Sequence, residues 1–201
     1  MFNFSIKNLK MSGLFIILII FSVPAYANDI EAYMKDSYKY YKDGEYKDSV
    51  ESLNYASQLI QQEVAERLEP FLPKPLTGWT TPNTDYHPMN ASLLGGAITT
   101  KRQYNKKSSS ISVQIITDSQ LIQNMTMIFN NPILTTSDGG KFERVSRQKA
   151  IVKFTPDTKS GKIKLIIADR FLVLIEGQNI TKKELKDYAS AIDYKKLKSL
   201  P

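Results

Sequence analysis

The sequence contains no cysteine and a single histidine among its 201 residues. The first absence excludes a disulfide framework, a thiolate metal site, a cysteine nucleophile and a cysteine-linked lipid anchor. The second leaves too little imidazole for a Ser/His triad or a histidine-rich metal centre. Apolar residues make up 42% of the chain, with nine Gly and nine Pro, which is the composition of folded protein and not of a disordered tail. Acidic residues are in the minority, 20 against 27 Lys plus Arg, for a net charge of +7. A balance of that size leaves nucleic acid, an anionic membrane surface and plain solubility open as explanations.

Residues 1–27 read as an address. Lys7 and Lys10 precede an apolar run from Leu14 to Phe21, followed by Pro24 and by Ala25 and Ala27 flanking Tyr26. A positive start, a short apolar core and an A-x-A site predict a secretory signal peptide, cleaved after Ala27 so that the mature chain begins at Asn28. The run is well under the roughly 20 residues that span a bilayer, which argues against a membrane anchor. The expected product is soluble in a periplasmic or extracellular compartment, with no transmembrane segment after cleavage.

Residues 28–70 predict a helical hairpin, with apolar residues at helical spacing broken once at Lys42-Asp43-Gly44. The second helix carries the ladder Tyr46, Val50, Leu53, Ala56, Ile60, Val64 and Leu68, and Pro70 and Pro73 stop it. The pattern Gly44-x-Tyr46-x-x-Ser49-x-x-x-Leu53-x-x-Ala56 resembles the turn and second helix of one tetratricopeptide repeat. Six of the 11 tyrosines lie between Tyr33 and Tyr55. Their helical spacing favours packing over a partner surface. If a partner binds, Tyr33, Tyr38, Tyr41 and, beyond the hairpin, Trp79 are the residues to expect, because a tyrosine or tryptophan ring is apolar with a polar tip.

From the proline-rich run at Pro70–Trp79 onward, residues 71–201 predict an α+β domain: a mostly antiparallel sheet with two packed helices. Strands are expected near 97–104, 110–117, 141–146, 149–155, 162–168 and 170–176. Phe171–Ile175 is apolar on both faces and so should be central and covered twice. One helix follows Asp118-Ser119, either of which can cap it, with Leu121, Ile122, Met125, Ile128 and Phe129 as its apolar face. The last helix opens on the capping box of Thr181 and Glu184 with the staple of Ile180 and Leu185. The run from Leu72-Pro73 to Gly78-Trp79, the strand ending in Thr117-Asp118-Ser119, Ile167-Ala168-Asp169-Arg170 through Glu176-Gly177, and the closing Tyr188-Ala189-x-Ala191-Ile192-Asp193 together resemble a group of exported bacterial proteins. That resemblance implies structure and export and brings no catalytic residue with it.

No motif fixes a reaction, a metal or a cofactor. Asp85 beside His87 makes an incomplete metal shell, Asp118-Ser119 is explained as a helix cap, Asp138-Gly139-Gly140 lacks the strand and lysine of a phosphate loop, and Asp169-Arg170 reads as a turn. Charge is unevenly distributed: residues 28–70 hold five basic and ten acidic residues, whereas residues 71–201 hold twenty and ten. Lys101, Arg102, Lys106 and Lys107 cluster in sequence and are the candidate anion-binding residues, although basic side chains on strands also guard sheet edges. Export and the lack of an aromatic-interleaved motif argue against nucleic acid. The reading is an exported, non-enzymatic binding or accessory protein of the cell envelope with an envelope protein as partner. Its rivals are a binder of anionic phospholipid or glycan and a hydrolase using Asp85, Asp118 or Asp169.

Overall fold

The computed structural model describes residues 26–82, 97–117, 119–131 and 139–200. Most of residues 1–27, the Asp85/His87 pair, Asp118 and residues 132–138 lie outside the described residues. Helices α1 (Tyr26–Asp43) and α2 (Tyr46–Leu68) form the expected hairpin. Its turn depends on Gly44 at φ 80°, a left-handed conformation that a residue without Cβ adopts freely. Pro70 sits in the 3-10 turn Glu69–Phe71 that ends α2. No described helix is long and apolar enough to cross a membrane.

The rest of the chain runs β1 (Ile98–Lys106), β2 (Ser109–Thr117), α3 (Gln120–Asn130), β3 (Lys141–Val145), β4 (Gln148–Thr155), β5 (Ser160–Ile167), β6 (Phe171–Gln178), α4 (Lys182–Ser190) and α5 (Tyr194–Lys198). The six strands form one sheet in the order β1-β2-β6-β5-β4-β3, every neighbour antiparallel. The fold is therefore α+β, as the patterning predicts. Strand β6 lies between β2 and β5 in the interior of the sheet.

Alternation along β6 separates two cores. Phe171, Val173 and Ile175 join Ile111, Val113 and Ile115 of β2 and Ile163, Leu165 and Ile167 of β5, beneath Leu185 and Tyr188 of α4, Leu197 of α5 and Ala65 and Leu68 of α2. On the opposite face Leu172 joins Ile116 and Ile151 beneath Ile122, Met125 and Phe129 of α3. The caps form as the sequence specifies. Ser119 Oγ accepts from the Leu121 amide, and Thr181 and Glu184 form the reciprocal capping box at α4. A further short helix, α5, follows where the Asp193 side chain accepts from the Lys196 amide.

Two glycines stand directly opposite each other, Gly161 on β5 and Gly177 on β6. A Cβ at Gly161 would lie 2.8 Å from both Leu185 Cδ2 and Phe154 Cδ2 and 3.0 Å from the Lys153 carbonyl. The missing side chain lets α4 seat on the sheet, and no single neighbour can move aside to admit one. Gly161→Ala should therefore lower stability by about 1–3 kcal/mol, read as a lower urea midpoint at unchanged slope. An unchanged midpoint would show that α4 is not seated this closely.

Candidate functional site

The two helices of the hairpin meet through small residues. Ser37 of α1 faces Ser49 of α2, and Ser52 and Ala56, on the same side of α2 as Ser49, are buried with them. The Ser37 and Ser49 hydroxyl oxygens are 3.0 Å apart, and Ser49 also donates to the Ser37 carbonyl. This contact turns part of the apolar ladder outward. Tyr46, Val50, Leu53 and Ile60 remain 64%, 57%, 51% and 44% exposed, while Ala56 points into the hairpin and Leu68 into the sheet core. On α1, Met34, Tyr38 and Tyr41 recur at i, i+4 and i+7 and are also exposed. The ring of Tyr41 lies 5.9 Å from that of Tyr46, which joins the two rows into one apolar face. The reverse side of the hairpin differs: Tyr33 stacks on Tyr55 at 5.4 Å beside a shallow groove containing Asp36, Asp48 and Glu51.

Of the expected partner residues, Tyr38 and Tyr41 lie on the apolar face, and Tyr33 is committed to its stack on the acidic side. Trp79 is a correction. It is 7% exposed because its ring packs edge-on against Tyr188 at 5.3 Å, within the sheet core. It belongs to a strap, residues 72–79, that crosses from α2 to the sheet and is fastened along its length. The Tyr104 hydroxyl donates to the Pro73 carbonyl at 2.5 Å, and the Leu76 amide donates to Tyr188 Oη at 3.4 Å. Burial pushes the Tyr188 phenol up to about 12 and raises that of Tyr104 as well, so both stay protonated as neutral hydrogen-bonding groups.

The four cations grouped by sequence do not converge. Arg102 donates to Glu69 Oε1 at 2.7 Å and to the carbonyls of Leu72 and Pro73, tying the end of α2 and the strap to β1. Lys106 bonds Glu184 at 2.7 Å and lies over the Trp79 ring. Lys101 is adjacent to Arg102 on a strand and therefore projects from the opposite sheet face. Lys107 occupies the β1–β2 turn at φ 54°. Proximity in sequence conceals this separation, and strand alternation is the signal that could have revealed it.

A cleft between the strap and α4 is lined by Leu76, Trp79, Lys106, Lys183, Glu184 and Asp187. Its charges are paired with one another, Lys106 with Glu184 and Lys183 with Asp187. Asp169, proposed as a catalytic acid, lies in the β5–β6 turn at φ 51°. Among the described residues no group of three or more His, Asp or Glu is placed to hold a metal ion. The chain matches no protein-family model, no curated protein and no solved structure. The site therefore rests on geometry, and the apolar face of the hairpin is its principal feature.

Two predictions concern the framework that carries this face. Arg102→Met removes the fork between Glu69 and the strap carbonyls and should cost about 1–3 kcal/mol. Arg102→Lys should fail to restore it, since an ammonium cannot span three acceptors as a guanidinium does; full recovery in urea melts of Arg102→Lys would contradict the fork. The second concerns acid. Hydrogen bonds from Lys182 and Lys186 hold the Glu143 carboxyl below its ordinary value of 4.5, and a hydrogen bond from Lys106 does the same for Glu184. The unfolded chain then binds these protons at higher pH than the folded chain. The stability they contribute is present above their unfolded values and is lost as pH falls through the folded ones. Glu143→Gln/Glu184→Gln should flatten the fall of Tm below about pH 4.5, and a slope equal to that of the wild type would contradict the assignment.

Proposed function

We propose that this chain is an exported, non-enzymatic binding protein of the cell envelope that holds a helical segment of a partner protein on the apolar face of its hairpin. One observation carries the reading. Seven large side chains (Met34, Tyr38, Tyr41, Tyr46, Val50, Leu53 and Ile60) are spaced as a buried stripe would be and stay in water. A contiguous apolar face of this kind marks an interaction site, because each square ångström it hides on binding is worth about 25 cal/mol. The steps of four, three and seven residues from Tyr46 through Val50 and Leu53 to Ile60 keep one heptad phase, which suits the knobs of a partner helix. Lys42 lies over Tyr38 at the margin of the face, so an acidic flank on the partner helix complements it. Tyrosine and methionine supply adaptable contact area at such surfaces. The signal-peptide pattern of residues 1–27 supports export.

The test is site-specific photo-crosslinking in the native host. A crosslinker at Leu53 should capture one discrete polypeptide different from this chain, and one at Asp36, on the acidic side, should not. No adduct at Leu53, or an adduct of twice the chain's own mass, would overturn the reading, the second outcome identifying a homodimer face.

A further inference from the structure

Among the described residues, one helix covers the second face of the sheet, and it covers one end only. Helix α3 sits on the end that holds Ile116, Leu172, Ile166 and Ile151. Alternation from those residues places Lys101 of β1, Lys153 of β4, Lys162 and Lys164 of β5 and Glu176 of β6 on the same face, with Lys164 in register with Ile151 and Leu174 at the margin of that cluster and Lys153, Lys162 and Glu176 one row further out. Lys153, Lys162, Lys164 and Glu176 line a shallow groove there with Ser160 and Gln178. Register sets Lys153 directly opposite Lys162 and Lys162 directly opposite Glu176. Like charges facing each other across strands are unfavourable, and the described partner in the groove is the single carboxylate of Glu176, paired with Lys162.

Edge protection does not account for Lys153, Lys162 and Lys164. Strands β4 and β5 are interior, with β3 and β1 at the two edges. Lysines that guard against aggregation belong on edges. An interior cationic row that holds one carboxylate among its described residues carries a net positive charge that a polyanion would complement.

We infer that this open half-face binds an anionic glycan chain. The backbone positions of Lys153, Lys162 and Lys164 repeat at strand spacing, about 4.8 Å across and about 6.7 Å along, and such a spread of charges suits a chain with repeated charges better than a single anion. Between them stand hydroxyl and amide groups, Thr155, Ser160 and Gln178 in the groove and Ser112 and Gln114 on β2, which match a hydroxyl-rich ligand. The groove presents no aromatic side chain on which a base could stack and no exposed large apolar side chain to enter a bilayer. This site is separate from the hairpin face and does not depend on it.

The probe is fluorescein-labelled polygalacturonate titrated with the full chain, with neutral dextran and phosphatidylglycerol vesicles as parallel arms. Polygalacturonate should bind, dextran should not, and affinity should fall as salt rises. Lys153→Gln/Lys164→Gln should weaken binding about tenfold, and Lys195→Gln/Lys198→Gln on α5 should change it less than about twofold, because an exposed charge acts mainly within its own Debye length. Glu176→Gln removes the opposing carboxylate and should tighten binding, a gain that damage to the fold could not produce. Equal losses in the two double variants would reduce the effect to net charge and overturn the site. No polygalacturonate binding, or binding confined to the vesicles, would overturn the glycan assignment.

Discussion

Strand β6 is apolar on both faces, and the remaining architecture answers the need to cover it twice. One face takes α4, α5 and the last turns of α2; the other takes α3. The contribution of α2 is confined to residues such as Ala65 and Leu68, so the earlier turns of that helix are left to pair with α1. Helix α3 is 11 residues long, roughly 16 Å at the usual rise, and it shields one end of a broad sheet. Both exposed surfaces, the apolar hairpin face and the cationic half-face, follow from where this cover runs out.

The hairpin reaches its geometry through an economy of side-chain size. Serine and alanine at the helix contact permit close approach and bury little apolar area, so the hydroxyl pair of Ser37 and Ser49 supplies much of the specificity there. The larger residues are turned outward as a result. Charge follows the same division. The hairpin segment carries the acidic excess, three of its ten carboxylates lining the groove on the side away from its apolar face, and the α+β segment carries the basic one. The direct ionic link between α2's end and the sheet is Arg102 with Glu69, which fastens the strap more than it neutralises either part.

Much of the fold was legible because period-two patterning is strong in these strands. Ile111, Val113 and Ile115 against Ser112 and Gln114, and the two-sided run at Phe171–Ile175, placed β2 and β6 correctly, and Thr181 with Glu184 placed the start of α4. The β3–β4 turn was less visible, because Ser146 and Arg147 both adopt positive φ without the Asn-Gly pair that usually announces it. The site was harder to read. A helical ladder states which residues share a face but not what that face meets, and the competing face of Ser49, Ser52 and Ala56 carries no hydrophobic signal. Trp79 read as a possible partner residue because its ring is apolar with a polar tip, and its burial depends on Tyr188, more than a hundred residues away in sequence. Lys162 and Lys164 alternate visibly with Ile163 and Leu165, but only the strand order shows that β5 is interior.

The account stands on the orientation of α2, and the absence of native cysteine makes that orientation directly measurable. Single Leu53→Cys and Ala56→Cys variants of the purified chain can be labelled with a maleimide under native conditions and again in urea. Leu53→Cys should label at nearly the same rate in both, whereas Ala56→Cys should be strongly protected until the chain unfolds. Protection at position 53 together with free labelling at position 56 would mean that the apolar ladder faces inward, and the binding face described here would not exist.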